Sequence, residues 1–120
     1  MRYGGALMDI SVGGSQIWGV NKHQHIYMRG GRSRWRRIGG SLKQVSVSEN
    51  DHVWGVNKHN HIYRWLGTKW VRVRGHLHVV NVGFAGVWGV YKRKVWYKKG
   101  TYGDVNTSGY KVCFLSIILT

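Results

Sequence analysis

Proline is absent from this sequence, cysteine occurs once, and acidic residues occur only four times in 120. Without proline, no segment is barred from a sheet by a missing N–H, and no turn rests on a preset φ. Turns must then come from the 18 glycines and from Asn and Ser. The lone Cys113 excludes an intrachain disulfide framework and any zinc site built on several cysteines. Its expected state is an inert buried thiol. The four carboxylates, Asp9, Glu49, Asp51 and Asp104, form no repeated pair of the kind general acid and base work requires. No glycine-rich phosphate loop ending in Gly-Lys-Ser/Thr is present either. The chain therefore does not read as an enzyme, and no cofactor is implied. Long apolar runs are also missing. The opening MRYGGALMDISVGG lacks the apolar core of roughly 7–15 residues of an export signal. The tail YKVCFLSIILT falls well short of the roughly 20 residues that span a bilayer. A buried strand is the expected state of that tail.

What is abundant points one way. Seven Trp and seven Tyr, set among Val, Ile and Gly, suit short half-buried strands and predict an all-β class. A length of 120 residues suits a single domain. Nineteen Lys and Arg give a formal charge of +15, which attracts polyanions such as nucleic acid, anionic membrane or acidic glycan without choosing among them.

The decamer WGVNKHQHIY at residues 18–27 returns as WGVNKHNHIY at 54–63, and WGVYKRKVWY follows at 88–97. Leu7, Leu42 and Leu77 open three copies of a unit of 35 residues: LMDISV, LKQVSV and LHVVNV. The copies cover approximately 7–41, 42–76 and 77–110, and an atypical apolar tail follows at 111–120. Each copy holds runs of β-branched and aromatic residues separated by turn chemistry, with no sustained helical period. The expected unit is a four-stranded antiparallel meander that buries its faces only against its neighbours, a partial β-propeller of three blades.

Over residues 4–109, and most clearly in GSLKQVSVSENDHVWGVNKHNHIYRW, the chain resembles the tectonin repeat proteins, especially the fish-egg lectins. The resemblance implies a β-propeller, binding of carbohydrates such as bacterial surface glycans and lipopolysaccharide, a role in innate immunity, and secretion. Other tectonin proteins are intracellular scaffolds, a second reading that the resemblance allows. Three blades are fewer than the family's propellers carry, so the expectation is a segment of a longer lectin or a half-propeller that self-associates to close.

Candidate residues follow from chemistry. Trp18, Trp54 and Trp88 lie in apolar strands and are expected in the core. Trp35, Trp65, Trp70 and Trp96 stand beside charges or turns and are the candidates for stacking on a sugar. Asn21 and Asn57 are either turn formers or partners of sugar hydroxyls. Arg29, Arg32, Arg34, Arg36 and Arg37 cluster around Trp35, and Lys69, Arg72 and Arg74 around Trp70. Of these, Arg34, Arg36, Arg37, Arg72 and Arg74 are the candidates for phosphate or carboxylate groups. The same basic and aromatic mixture keeps a nucleic-acid binder open as an alternative. The pairs His23/His25 and His59/His61 have the spacing of strand ligands, but no third or fourth ligand accompanies them, so a solvated turn is favoured over a metal site. Asn106 heads an Asn-x-Ser glycosylation acceptor, Asn106–Ser108.

Overall fold

The computed structural model describes residues 6–30, 34–84 and 86–98 and the strand Leu115–Ile117. Arg32, Asp104, Asn106 and Cys113 lie outside the described residues. The strands form three antiparallel meanders. The first blade holds β1 (Asp9–Val12), β2 (Gln16–Val20), β3 (Ile26–Gly30) and β4 (Arg36–Ile38). The second holds β5 (Gln44–Val47), β6 (Val53–Val56), β7 (His61–Trp65) and β8 (Trp70–His76). The third holds β9 (Val79–Gly83), β10 (Gly86–Tyr91), β11 (Lys94–Lys98) and β12 (Leu115–Ile117). The last strand comes from the apolar tail and pairs with β11, Val95 opposite Ile117. The architecture is thus the all-β array of three four-stranded blades expected from the repeats.

Each blade has a leading face towards the preceding blade and a trailing face towards the next. The period of two along a strand assigns the residues. In the second blade Leu42, Val45, Val47 and Val53 lead, and they pack on Trp18, Val20, Ile26 and Ile38 of the first. Trp54, Val56, Ile62 and Val73 trail, and they pack on Leu77, Val80, Val82 and Val87 of the third. Full burial of residues this large, at roughly 25 cal/mol per Å² of apolar surface, is the main force holding blade to blade. The recurrent Trp-Gly-Val serves the packing inside a blade as well. A Cβ on Gly19, Gly55 or Gly89 would stand 2.5 Å from the δ-methyl of Leu7, Leu42 or Leu77 respectively, so the glycine is the slot that accepts the leucine opening each repeat.

Polar side chains of the innermost strands hook successive blades together. The N–H of Val47 donates to Ser11 Oγ and that of Val82 to Ser46 Oγ, both at 3.0 Å. Two residues earlier, Val45 N–H donates to Asp9 Oδ2 at 3.2 Å, and Val80 N–H donates to Gln44 Oε1 at 2.8 Å. Gln44 Nε2 donates in turn to the Val80 carbonyl at 2.6 Å. These bonds satisfy groups that would otherwise sit unpaired between sheets.

Two expectations need correction. Trp18 and Trp54 are fully buried, but Trp88 is 40% exposed, because among the described residues no further blade packs on the trailing face of the third. Its ring leans instead on Tyr97 at 4.6 Å. The third copy also does not align as IY with WY. Its second hairpin closes through a two-residue turn, Lys92-Arg93, with φ of 50° and 65°, where the first two blades use five-residue loops. Gly89 consequently pairs with Trp96, whereas Gly19 and Gly55 pair with Tyr27 and Tyr63. Trp96, not Tyr97, occupies the tyrosine's place.

Candidate functional site

The five-residue loops explain why the decamer is repeated. Asn21 Oδ1 accepts from the N–H groups of His23 and His25, and Asn57 Oδ1 from those of His59 and His61, at 2.9–3.0 Å. This Asx cage, favoured because a short amide mimics a backbone acceptor, leaves Gln24 and Asn60 at φ of 66°. Each loop then turns a carbonyl towards the next repeat: Gln24 O accepts from Leu42 N–H at 3.1 Å, and Asn60 O from Leu77 N–H at 2.9 Å. The loop of one blade thereby fixes where the next begins.

Beside the first of these junctions lies a cleft of about 260 Å³ lined by Gly40, Ser41, Leu42, Asn57, Tyr63 and Trp70. Its floor is the link between the first two blades, and its wall is the leading face of the second. Trp70 is held firmly: its indole N–H donates to the Gly39 carbonyl at 2.9 Å, and its ring lies 5.8 Å from Trp18 and 4.9 Å from Trp65. Gly40, at φ of 101°, is left-handed backbone, and any Cβ there would press within 3.2 Å of the Trp70 ring. Arg72 is directly opposite Tyr63 across the β7–β8 ladder and is exposed. One compact region therefore combines two aromatic surfaces, the Ser41 hydroxyl and the Asn57 amide nitrogen, with Arg72 opposite Tyr63 on the neighbouring strand.

The candidates read from the sequence are distributed unevenly around this cleft. Trp70 and Asn57 line it, although Asn57 spends its oxygen on the turn and offers a ligand only Nδ2. Trp65 stands behind Trp70, edge-on to Trp18 at 5.7 Å, as packing for the first blade. Trp96 packs against the core between the second and third blades, with its indole nitrogen buried and unpartnered. Trp35 is half-buried just before β4, and Asn21 holds the first loop. Arg34, Arg36, Arg37, Arg72 and Arg74 are all exposed on or beside the outermost strands. Tyr63, Gly40 and Ser41 were not singled out from sequence. Tyr63 had a visible signal, its recurrence in the IY element, whereas Gly40 and Ser41 carry none until the blades are packed.

At the next junction the same backbone carries different chemistry. Gly75, at φ of 109°, repeats Gly40, but His76 stands at the place of Ser41 and Tyr91 at that of Asn57. His76 and Tyr91 stack at 5.9 Å, with His78 on the other side of Tyr91 at 4.7 Å and His61 5.3 Å from His76. Partial desolvation first, then the charges of Arg72, His76 and His59, hold His61 below the ordinary histidine range. His59 and His61 face each other at 5.9 Å, as do His23 and His25. Among the described residues no three His, Cys, Asp or Glu side chains converge on a metal-sized site. Nor is any helix among them long and apolar enough to cross a membrane.

Asp51, in the β5–β6 turn, clasps the β1–β2 turn of the preceding blade. Its carboxylate accepts from the Ser15 N–H at 3.0 Å, from the Ser15 hydroxyl, and from the Gln16 N–H at 3.2 Å. Desolvation pushes its pKa up, but these bonds outweigh that effect and hold it below the ordinary carboxylate value. The Gly13-Gly14 turn makes the approach feasible, since a Cβ on Gly14 would run into the Glu49 carbonyl.

Comparison with curated proteins finds no match. A family model, the Tectonin domain, matches residues 6–112, nearly the whole chain and every described strand but β12. It describes a family of β-propeller-type repeats and lectins, not a class of enzymes. The chain belongs to the Tectonin domain family.

Proposed function

We propose that this chain is a non-enzymatic lectin for anionic glycans of microbial or egg surfaces, lipopolysaccharide among them, and that the cleft between its first two blades takes the sugar. The observation that carries the reading is the pairing of Trp70 and Tyr63 with Ser41 and Asn57 in one pocket. A sugar ring offers an apolar C–H surface to an aromatic face and hydroxyls to short polar groups, and both are present here. Arg72, opposite Tyr63, supplies a planar fork for a phosphate or carboxylate on the same ligand. By register Tyr27 and Arg37 hold the same relation in the first blade. Blade repetition would give avidity to individually weak sites, and the ligand class implies a secreted protein.

A glycan array carrying neutral, sulfated, sialylated and phosphorylated structures tests this directly. Selective retention of one acidic class is expected, and Arg72→Gln should weaken it about tenfold, the loss of one charge-assisted bond. Equal retention of all polyanions would support the alternative, a nucleic-acid or general polyanion binder. That reading draws on the exposed Arg34, Arg36, Arg37, Arg72 and Arg74 and the +15 charge.

A further inference from the structure

The two end faces of the described blades are chemically complementary, and the complement is defined by the interfaces inside the chain. Val45 and Val47 on the leading face of the second blade, and Val80 and Val82 on that of the third, are 0–7% exposed because a preceding blade covers them. Ile10 and Val12 hold the same register positions in the first blade and are 57% and 68% exposed. At the other end, Trp18 and Val20, and Trp54 and Val56, are at most 1% exposed beneath the following blade. Trp88 and Val90 hold those positions in the third blade and are 40% and 37% exposed. One face thus lacks a tryptophan–valine partner, and the other presents that pair uncovered.

We propose that a second copy of this chain docks head to tail here, the leading face of the first blade of one copy on the trailing face of the third blade of the other. The template is the contact already made twice within the chain. Ile10 and Val12 would take the places of Val45 and Val47 against Trp88 and Val90. Asn81, which follows Ser11 and Ser46 in register and is exposed, would accept from the Val12 N–H of the other copy as those serines accept within the chain. Propellers close with roughly four to eight blades, so two copies, each giving one head and one tail, complete a ring. The ring is looser than an unbroken one for an identifiable reason. Val79 stands where Asp9 and Gln44 provide the earlier hook, so one of the two polar links is missing at each junction between copies.

Sedimentation of the 120-residue chain at 1 and 50 µM in 0.3 M salt, which damps the repulsion between two +15 chains, tests the proposal. The expected result is a concentration-dependent shift towards twice the 13.8 kDa of one chain. Val12→Glu and Val90→Glu should each be monomeric, with unchanged circular dichroism because both positions are exposed. Mixing these two variants should restore a dimer, since one intact head then meets one intact tail. Val79→Gln should tighten association about threefold to tenfold at each junction, the worth of one restored hydrogen bond. A wild-type monomer at 50 µM overturns the proposal. So does a dimer that survives Val90→Glu, which would mean a head-to-head contact.

Discussion

At the first blade interface Trp18 is closed off by Trp65 and Trp70, Asp51 clasps the Ser15 turn, and a cleft stays open beside Ser41. At the second, Trp54 lies in a cluster completed by Tyr91 and Trp96, and His76 and Tyr91 stack where Ser41 and Asn57 would be. The inner halves of the two interfaces are nearly the same: valines at equivalent positions, serine hooks at 3.0 Å, and a loop carbonyl fixing the next leucine. The blades therefore stack by their inner strands, where change is costly. The residues that link the blades and follow the second strand differ, Ser41 and Asn57 at one junction against His76 and Tyr91 at the other, and that difference changes what a ligand would meet at each.

The largest effect at either interface should come from its tryptophan. Trp18→Ala and Trp54→Ala should each cost about 3–5 kcal/mol in urea unfolding. Both rings are fully buried, so the two losses should agree within about 1 kcal/mol. A loss about 2 kcal/mol smaller at either one would break that equivalence of the two interfaces. The serine hooks come next. Ser46→Ala orphans a buried N–H and should cost about 1–3 kcal/mol, while Ser11→Ala, in a less enclosed setting, should cost about 1 kcal/mol.

Acid should act on the first interface in particular. The Asp51 pKa is lowered on folding, so its contribution is fully present above the unfolded carboxylate value and is lost as pH falls through the folded one. Solvent screening limits the effect to about 0.5 kcal/mol. Asp51→Asn should flatten the acid limb of stability between about pH 4 and 2, and an unchanged limb would remove the clasp from the account. The smallest effect belongs to the second interface. His61 is also depressed on folding, so the folded state resists its protonation and stability falls as pH drops through and below the ordinary histidine range. His61→Gln should reduce that slope, as read by thermal melts between pH 7.5 and 5.

Much of this fold was legible in the sequence because blade packing is written in short-period signals: the Leu at a spacing of 35, the Trp-Gly-Val strand, and the Asn that cages its loop. Trp88 misled because its letters match Trp18 and Trp54, while its burial depends on a neighbouring blade. Trp96 misled because a shorter turn shifts pairing by one residue, which spelling alone aligns the other way. The cleft was only half legible. Trp70 and Asn57 stand out by composition, but Gly40 and Ser41 matter only through the space that packing leaves beside them.

The central claim is that the open junction, not the net charge, selects the ligand. The most direct measurement is an equilibrium titration of an anionic glycan and a single-stranded oligonucleotide at 0.15 and 0.5 M salt, on the wild type and on Ser41→His. That substitution places at the open junction the residue the other junction already carries, so the fold should accept it. Stacking and short hydrogen bonds are little screened, so the wild type should keep glycan binding at 0.5 M salt while oligonucleotide binding collapses, and Ser41→His should lose that salt-resistant part. Loss of both ligands together with salt, or glycan binding untouched by Ser41→His, would contradict the account.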